Sequence, residues 1–229
     1  MQAARRRAAR SEAKPSGDPQ SRLTAARERL LTGFSELGLS APAERSEALL
    51  RLACLLERWG QRINLSGHRD VESIVARLIL DAAALAPHLP EIPSLVDLGS
   101  GAGFPGLPIA ILRPECSLLL VEAREKRHHF QRAAVRELGL RNVESIRGRA
   151  ERIAARPQAA VVAQAVAEPS KALEWMLPWV DPGGWLVIPG GERPPEVAPR
   201  PSLGPSHVIT YRVPCGGPSR SLWLARRLS

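Results

Sequence analysis

The residues with the clearest chemical potential lie just after Leu95 and Val96, where an acid precedes a series of glycines. In the string DLGSGAGFPG, Asp97 is followed by glycines that include Gly99 and Gly101. Glycines permit positive φ angles and keep Cβ atoms away from an approaching ligand. The apolar segment that follows predicts a helix whose first N–H groups are free to bind. This order of residues predicts a loop that holds a nucleotide-like cofactor.

A second acid, Glu122, ends the next apolar run, about 20 residues further along, where nucleotide-binding sheets carry an acid for the ribose hydroxyls. Ligands of parallel sheets lie beyond the carboxyl ends of the strands. We therefore expect the segments 148–151 and 164–168 to border the same pocket. Within the first of these, Ala150 and Glu151 are candidates to contact an adenine. The alternative for Glu151 is an ordinary acid in the first turn of a helix.

The position of Asp97 separates two classes of nucleotide cofactor. A dinucleotide presents its pyrophosphate to the glycine backbone, where a carboxylate repels it, whereas S-adenosylmethionine carries a sulfonium and an amino group. The sequence therefore favours S-adenosylmethionine. It contains no HExxH, GxSxG or CxxC signature of metal, nucleophilic or thiol chemistry. Methyl transfer to a ring nitrogen with a free lone pair needs only alignment and desolvation, so we expect such an acceptor, no general base and no metal site.

Strands and helices alternate from Ser94 onward. We predict strands at 94–98, 117–122, 143–147, 159–165 and 184–188, and helices near 106–112, 124–138, 150–155 and 170–179. Alternation of this kind predicts a parallel sheet with right-handed crossovers. Two further runs, 208–213 and 222–225, flank a turn rich in proline and glycine and predict an antiparallel hairpin at the edge of the sheet.

The predicted fold class is α/β, a Rossmann-like sheet of the S-adenosylmethionine-dependent methyltransferase type. We expect it to be mostly parallel, with a C-terminal antiparallel hairpin and a preceding N-terminal helical segment. We expect the chain to divide into a disordered basic arm at 1–21, a helical segment at 22–90 and the S-adenosylmethionine-binding methyltransferase domain at 91–229.

The charge balance indicates an anionic partner. The 229 residues have a formal net charge of +9. Such an excess indicates nucleic acid first and a membrane surface second, with an arginine-favouring genome as the alternative explanation. The three cysteines lie far apart, which is typical of a reducing compartment. No apolar run approaches the ~20 residues that span a bilayer, so we expect a cytoplasmic protein without membrane contact.

The stretch DLGSGAGFPGLP, from Asp97 to Pro108, resembles the glycine loop of the small-subunit ribosomal RNA methyltransferase G family, also called GidB-like. The similarity extends over residues 45–190. It includes the pattern W-x-x-x-x-N-L-[ST] at Trp59–Ser66 and the family's R-P-E, K-R and basic–A/V–E elements. The resemblance implies a bacterial enzyme that uses S-adenosylmethionine to methylate N7 of a guanine in 16S ribosomal RNA, either as RNA or within the small subunit.

The resemblance also implies roles for individual residues. It implies cofactor contacts at Gly99, Phe104, Ala150 and Glu151, in addition to Asp97, Gly101 and Glu122, which the spacing of acids and glycines predicts. The candidates to face RNA are Asn64, Arg77, Lys126 and Arg127, which match polar positions of the family's motifs. It identifies no catalytic residue. We expect a monomer.

Four positions depart from the family pattern. Leu78, Ala82, Gln164 and Pro189 stand where the family has a histidine, a serine, a basic residue and a lysine. The alternative function is therefore a catalytically weakened or inactive relative that binds S-adenosylmethionine or RNA. A nicotinamide dehydrogenase is disfavoured by Asp97 and by the lack of a hydride-handling His or Tyr near the predicted cleft.

Overall fold

The computed structural model describes residues 18–40 and 42–228, so most of the predicted basic arm lies outside the described part of the chain. The first helix, α1 (Pro19–Glu36), begins three residues before the predicted boundary at 22. Asp18 caps this helix by accepting the N–H of Gln20 at 3.2 Å, and Pro19 fits its first turn because that position needs no N–H donor. The disorder predicted for 1–21 is therefore wrong for residues 18–21, which belong to the capped helix, and for 1–17, outside the described residues, it stays a prediction.

The rest of the N-terminal segment is helical, as predicted. The helices are α2 (Ala43–Gly60), α3 (Val71–Ile74) and α4 (Leu80–Leu85). A π-helical turn, Val75–Ile79, joins α3 to α4 and carries Arg77 and Leu78. Leucines at helical spacing, among them Leu30, Leu49 and Leu80, are fully buried in one cluster with Phe130. This packing fixes the segment against the sheet domain.

Seven strands form one sheet. They are β1 (Ser94–Leu98), β2 (Ser117–Glu122), β3 (Val143–Arg147), β4 (Gln158–Ala163), β5 (Val180–Gly190), β6 (His207–Arg212) and β7 (Ser219–Arg226). Their order is β3-β2-β1-β4-β5-β7-β6; β1 to β5 are parallel, and β7 and β6 are antiparallel. The predicted fold class is confirmed. The chain reverses its direction of winding between β1 and β4, which is where such sheets bind ligands.

Helices cover both faces of this sheet. They are α5 (Gly106–Leu112), α6 (Glu125–Leu138) and α7 (Pro169–Met176). Neighbouring residues of β1 point to opposite layers: Leu95 packs in a cluster with Ile109 of α5, and Val96 in another with Leu173 of α7. Burial on both faces explains why the central strands are continuous apolar runs. Within the described part of the chain, no helix combines the length and apolar character needed to cross a membrane.

One predicted helix is wrong. Residues 150–155 form an isolated turn, in which Arg152 and Ile153 donate their N–H groups to the carbonyl of Arg149 at 2.8 and 3.2 Å. The connection is short, and Ile153 folds back so closely that a Cβ on Gly148 would collide with it. The interpretation of Glu151 as a first-turn helix acid therefore fails. The structure also extends β5 and β7 beyond the predicted strands, and β4 ends at Ala163 rather than at 165.

Candidate functional site

A cavity of about 290 Å³ opens at the carboxyl ends of β1, β2, β3 and β4. We call it the switch-point cavity. Its lining includes Gly99, Glu122, Arg127, Ala150, Glu151 and Val166. Four of the predicted cofactor residues therefore meet there, although they come from three different loops. The parallel sheet achieves this because it aligns the ends of its strands along one edge.

Glu122 connects the end of β2 to the glycine loop. Its side chain is almost fully buried, and its two oxygens accept the backbone N–H groups of Gly101 at 2.8 Å and Arg124 at 2.7 Å. A carboxylate has about four lone-pair positions, so acceptor capacity remains on both oxygens. The carboxylate thus positions the loop and can still accept hydrogen bonds from vicinal hydroxyls.

The glycine loop is held tightly around this carboxylate. Gly99 and Ser100 donate their N–H groups to the carbonyl of Val121 at 2.8 and 3.1 Å. Gly99 has a φ of +66°, and a Cβ there would collide with the side chain of Val166. Both the backbone angle and the available space therefore require glycine at this position. The Gln131 amide donates to Ser100 Oγ and to the Gly101 carbonyl, both at 2.8 Å.

Asp97 lies beneath the loop and does not line the cavity. It is 1% exposed, and its Oδ2 accepts the N–H of Gly106, the first residue of α5, at 3.0 Å. Burial, together with the negative charge of Glu122, raises the pKa of Asp97 to about 7 against the opposing effect of the Gly106 hydrogen bond. Asp97 thereby fixes the helix that follows the loop. A direct contact between Asp97 and a cofactor stays a prediction.

Phe104 lies on the other side of the glycine loop. It lines a separate cavity of about 50 Å³, which we call the Phe104 cavity. Its lining also includes Arg77, Leu78, Ala82 and Gln164. Three of the four departures from the family pattern therefore lie in one place, beside the switch-point cavity rather than within it. The π-helical turn brings Arg77 and Leu78 to this cavity; such turns are frequent at functional sites.

The four candidates to face RNA lie in different places. Arg127 is part of the switch-point cavity: its Nε is buried without a hydrogen-bond partner among the described residues, and a Cβ on Gly101 would lie 3.8 Å from its Nη1. Lys126 is exposed beside it on α6, and Arg77 is exposed at the Phe104 cavity. Asn64 is exposed in the loop between α2 and α3 and lines none of these cavities.

Sequence reasoning missed several residues of the site. Trp175 of α7 lines the switch-point cavity one helical turn after Ala172 and adds an aromatic side chain to it. Arg124 and Arg149 add positive charge to the same lining. The three-residue spacing of Ala172 and Trp175 predicts that they share one face of a helix. The sequence does not show that this face of α7 is the one that meets the site. The described residues form no cluster of His, Cys, Asp or Glu that is arranged to hold a metal ion.

Comparison with known proteins identifies the family to which the chain belongs. The family model described as rRNA small subunit methyltransferase G matches residues 45–211. The ribosomal RNA small subunit methyltransferase G of Chromohalobacter salexigens is 39% identical, over 76% of this chain and 83% of the relative. The protein of the same name from Methylobacillus flagellatus is 35% identical, over 82% of this chain and 91% of the relative.

Among solved structures, M. jannaschii TYW2, crystallised in complex with AdoMet, is similar with a TM-score of 0.54 and 16% identity. The match covers 74% of this chain and 80% of that one and shows a shared fold. The family match is much closer and extends over most of the sequence, including the glycine loop and Glu122. This chain therefore belongs to the small-subunit ribosomal RNA methyltransferase G family.

Proposed function

We propose that this protein transfers a methyl group from S-adenosylmethionine to N7 of a guanine in 16S ribosomal RNA. Family membership supports the reaction class and the RNA substrate. The observation that carries the cofactor assignment is the hydrogen bond between Glu122 and Gly101, which joins the acid and the glycine loop at one edge of the cavity. The AdoMet complex of TYW2, which has the same fold, supports this cofactor.

The lining residues fit S-adenosylmethionine. Glu122 has free acceptor capacity for the ribose hydroxyls, and Gly99 leaves backbone exposed where a side chain would fill the space. Ala150, Glu151 and Trp175 supply the surface for an adenine. When bound, the cofactor supplies an electrophilic methyl group on a sulfonium sulfur.

Among the described residues, the lining contains no His, Cys or Lys, and its titratable groups are arginines and two glutamates. Guanine N7 suits such a site because it carries a lone pair and no proton. Its lone pair forms the new N–C bond, the electron pair of the C–S bond stays on sulfur, and no base has to remove a proton. What the chain has to supply is alignment of the base and exclusion of water. Cytosine C5, which needs a thiol nucleophile, is disfavoured.

The surroundings of the cavity suit a polyanion. Arg124 and Arg149 belong to its lining, and Lys126 is exposed next to them. Together with the net charge of +9, these cations attract phosphates through long-range electrostatics. We therefore propose 16S ribosomal RNA or the small subunit as the partner, in the bacterial cytoplasm. The monomeric state stays a prediction.

The comparisons give no support to the alternative of an inactive binding protein. Leu78, Ala82 and Gln164 lie outside the switch-point cavity, so these departures leave its lining intact.

The proposed function and the inactive alternative predict different modified nucleosides in small-subunit RNA. Mass spectrometry should find N7-methylguanosine lost when the source bacterium lacks this protein and restored by wild type but not by Glu122→Ala. An unchanged nucleoside profile in the deletion strain would refute the proposed function.

A further inference from the structure

Gln164 is a half-buried polar residue that follows the last residue of β4. Its carboxamide makes no hydrogen bond to any described residue, although it lines two cavities. The next residue, Ala165, has a φ of +52°. A left-handed conformation costs a residue with a Cβ about 1 kcal/mol, and such strain is concentrated at functional sites. The bend directs Ala165, but not Gln164, into the lining of the switch-point cavity.

The larger of the two cavities at Gln164 has about 380 Å³ and lies between the loop after β4 and the end of β5. We call it the β4–β5 cavity. Its walls are mostly small and apolar, with Ala167, Ile188 and Pro189 among them, and its polar side chains are Gln164, Arg193 and Arg220. Mostly apolar walls with a few polar groups are typical of a site that binds a small organic molecule or base.

The β4–β5 cavity adjoins the proposed cofactor site. Ala163, Ala165, Val166 and Ala172 line both cavities, so the loop after β4 forms their common wall. A base bound on this side would be separated from the proposed cofactor site by this wall alone. The Phe104 cavity, at about 50 Å³, has room only for a few water molecules.

The two arginines of the β4–β5 cavity differ in their availability. Arg220 is paired: its Nη2 lies 2.6 Å from Asp81 Oδ2, and its Nε lies 3.1 Å from both carboxylate oxygens. Arg193 is exposed, and its guanidinium has no ion pair or hydrogen bond among the described residues. Ser221 Oγ lies 3.1 Å from the Arg193 carbonyl, so the backbone is anchored while the cation is free to meet a phosphate.

We propose that the acceptor guanine binds in the β4–β5 cavity, with Gln164 Nε2 donating a hydrogen bond to guanine O6 and Arg193 contacting a phosphate of the same RNA strand. The inference rests on the proposed function. Guanine O6 and N7 are neighbouring acceptors on one edge of the base, so a donor at O6 leaves N7 free to be alkylated. Methylation makes the base cationic, and a neutral carboxamide does not repel that product as a cation would.

The test replaces the contacted atom. After the methylated guanine has been mapped, RNA is prepared with guanine or 2-aminopurine at that position; 2-aminopurine keeps N7 and lacks O6. Single-turnover rates and RNA affinities are measured for wild type and for Gln164→Met, which has a similar length and no donor. We expect the ratio of the single-turnover rate on guanine RNA to that on 2-aminopurine RNA to be about five- to tenfold lower in the variant, since one neutral hydrogen bond is lost. Calorimetry should show unchanged S-adenosylmethionine affinity.

The outcomes are separable. If wild type transfers methyl normally and Gln164→Met has the same guanine to 2-aminopurine rate ratio, this inference alone is overturned. It is also overturned if Gln164→Met binds S-adenosylmethionine more weakly, because Gln164 would then contact the cofactor. Absence of N7 transfer by the wild type overturns the proposed function and this inference with it.

The phosphate contact has its own matched control. Arg193→Gln should weaken RNA binding and reduce the salt slope by about 0.7, the value for one phosphate contact on a single strand. Arg141→Gln removes another exposed cation from a different cavity, two residues before β3, and should leave the slope unchanged. Equal slopes for wild type and both variants would overturn the role of Arg193.

Discussion

Glu122, the last residue of β2, accepts the N–H of Gly101, in the loop after β1, at 2.8 Å. The second Glu122 oxygen accepts the N–H of Arg124 at 2.7 Å. These bonds hold the glycine loop in place through contacts within the chain itself. A loop that is already ordered costs less free energy when the cofactor binds, because little conformational entropy remains to be lost.

Glu122→Gln tests this arrangement. The amide replaces one acceptor oxygen with a donor, so one of the two backbone N–H groups loses its partner and the ribose loses an acceptor. We expect calorimetry to show S-adenosylmethionine affinity reduced by about 1.5–3 kcal/mol, the range for hydrogen bonds to charged groups. Glu125→Gln is the control, since Glu125 is an exposed acid outside the cavity lining. Equal affinity in wild type and Glu122→Gln would contradict this role.

Comparing Gly99→Ala with Gly139→Ala separates the effect of backbone strain from the effect of filling space at the cavity. Gly99 and Gly139 have the same φ of +66°, but a Cβ on Gly99 meets Val166, whereas one on Gly139 meets nothing within 4 Å. In urea unfolding, Gly139→Ala should destabilise the fold by about 1–2 kcal/mol, because alanine is strained at positive φ, and Gly99→Ala should cost more because of the collision with Val166. Cofactor affinity should fall only for Gly99→Ala. A similar fall in affinity for Gly139→Ala would mean that general destabilisation, and not the cavity, is responsible.

Asp97→Asn should change how stability depends on pH. Burial, and secondarily the charge of Glu122, raises the pKa of Asp97 from 3.8 to about 7. Between these values the folded chain holds a proton that the unfolded chain has released, so this group's contribution to stability falls as pH rises and levels off above about 7. Urea unfolding of the cofactor-free protein should show that, from pH 5 to pH 8, the free energy of unfolding falls by about 2–3 kcal/mol more in wild type than in the variant. Parallel pH profiles would exclude a raised pKa.

The pair between Asp81 and Arg220 should couple the helical segment to the hairpin. Arg220 of β7 contacts the Asp81 carboxylate through Nε and Nη2, and both side chains are largely buried. A double-mutant cycle with Asp81→Asn and Arg220→Gln should give a coupling energy of about 1–2 kcal/mol in unfolding experiments. Additive effects of the two substitutions would mean that the pair adds nothing to the attachment of the segment.

The sequence was most informative where function depends on local spacing. The glycine loop and Glu122 were predictable because a fixed order of strand, turn and helix determines their relative positions. Gln131 was missed because its bonds to Ser100 and Gly101 depend on how α6 packs, about 30 residues further along the chain. No local pattern indicates that Arg220 meets Asp81, 139 residues away.

The error at 150–155 has a similar cause. A run of suitable residues predicts a helix, but the connection between β3 and β4 forms one turn only. Arg127 was assigned to RNA from its motif, whereas the structure brings it to the switch-point cavity. Motif spacing indicated which residues matter, and packing of the elements decided what they face.

The most direct test of the central claim is single-turnover transfer of a labelled methyl group from S-adenosylmethionine to small-subunit RNA from cells that lack this protein. Wild type should label one nucleoside, which mass spectrometry identifies as N7-methylguanosine, and Glu122→Ala should transfer far less label at the same cofactor concentration. Label on another atom or another nucleotide, or no transfer by wild-type protein that binds the cofactor, would contradict the claim.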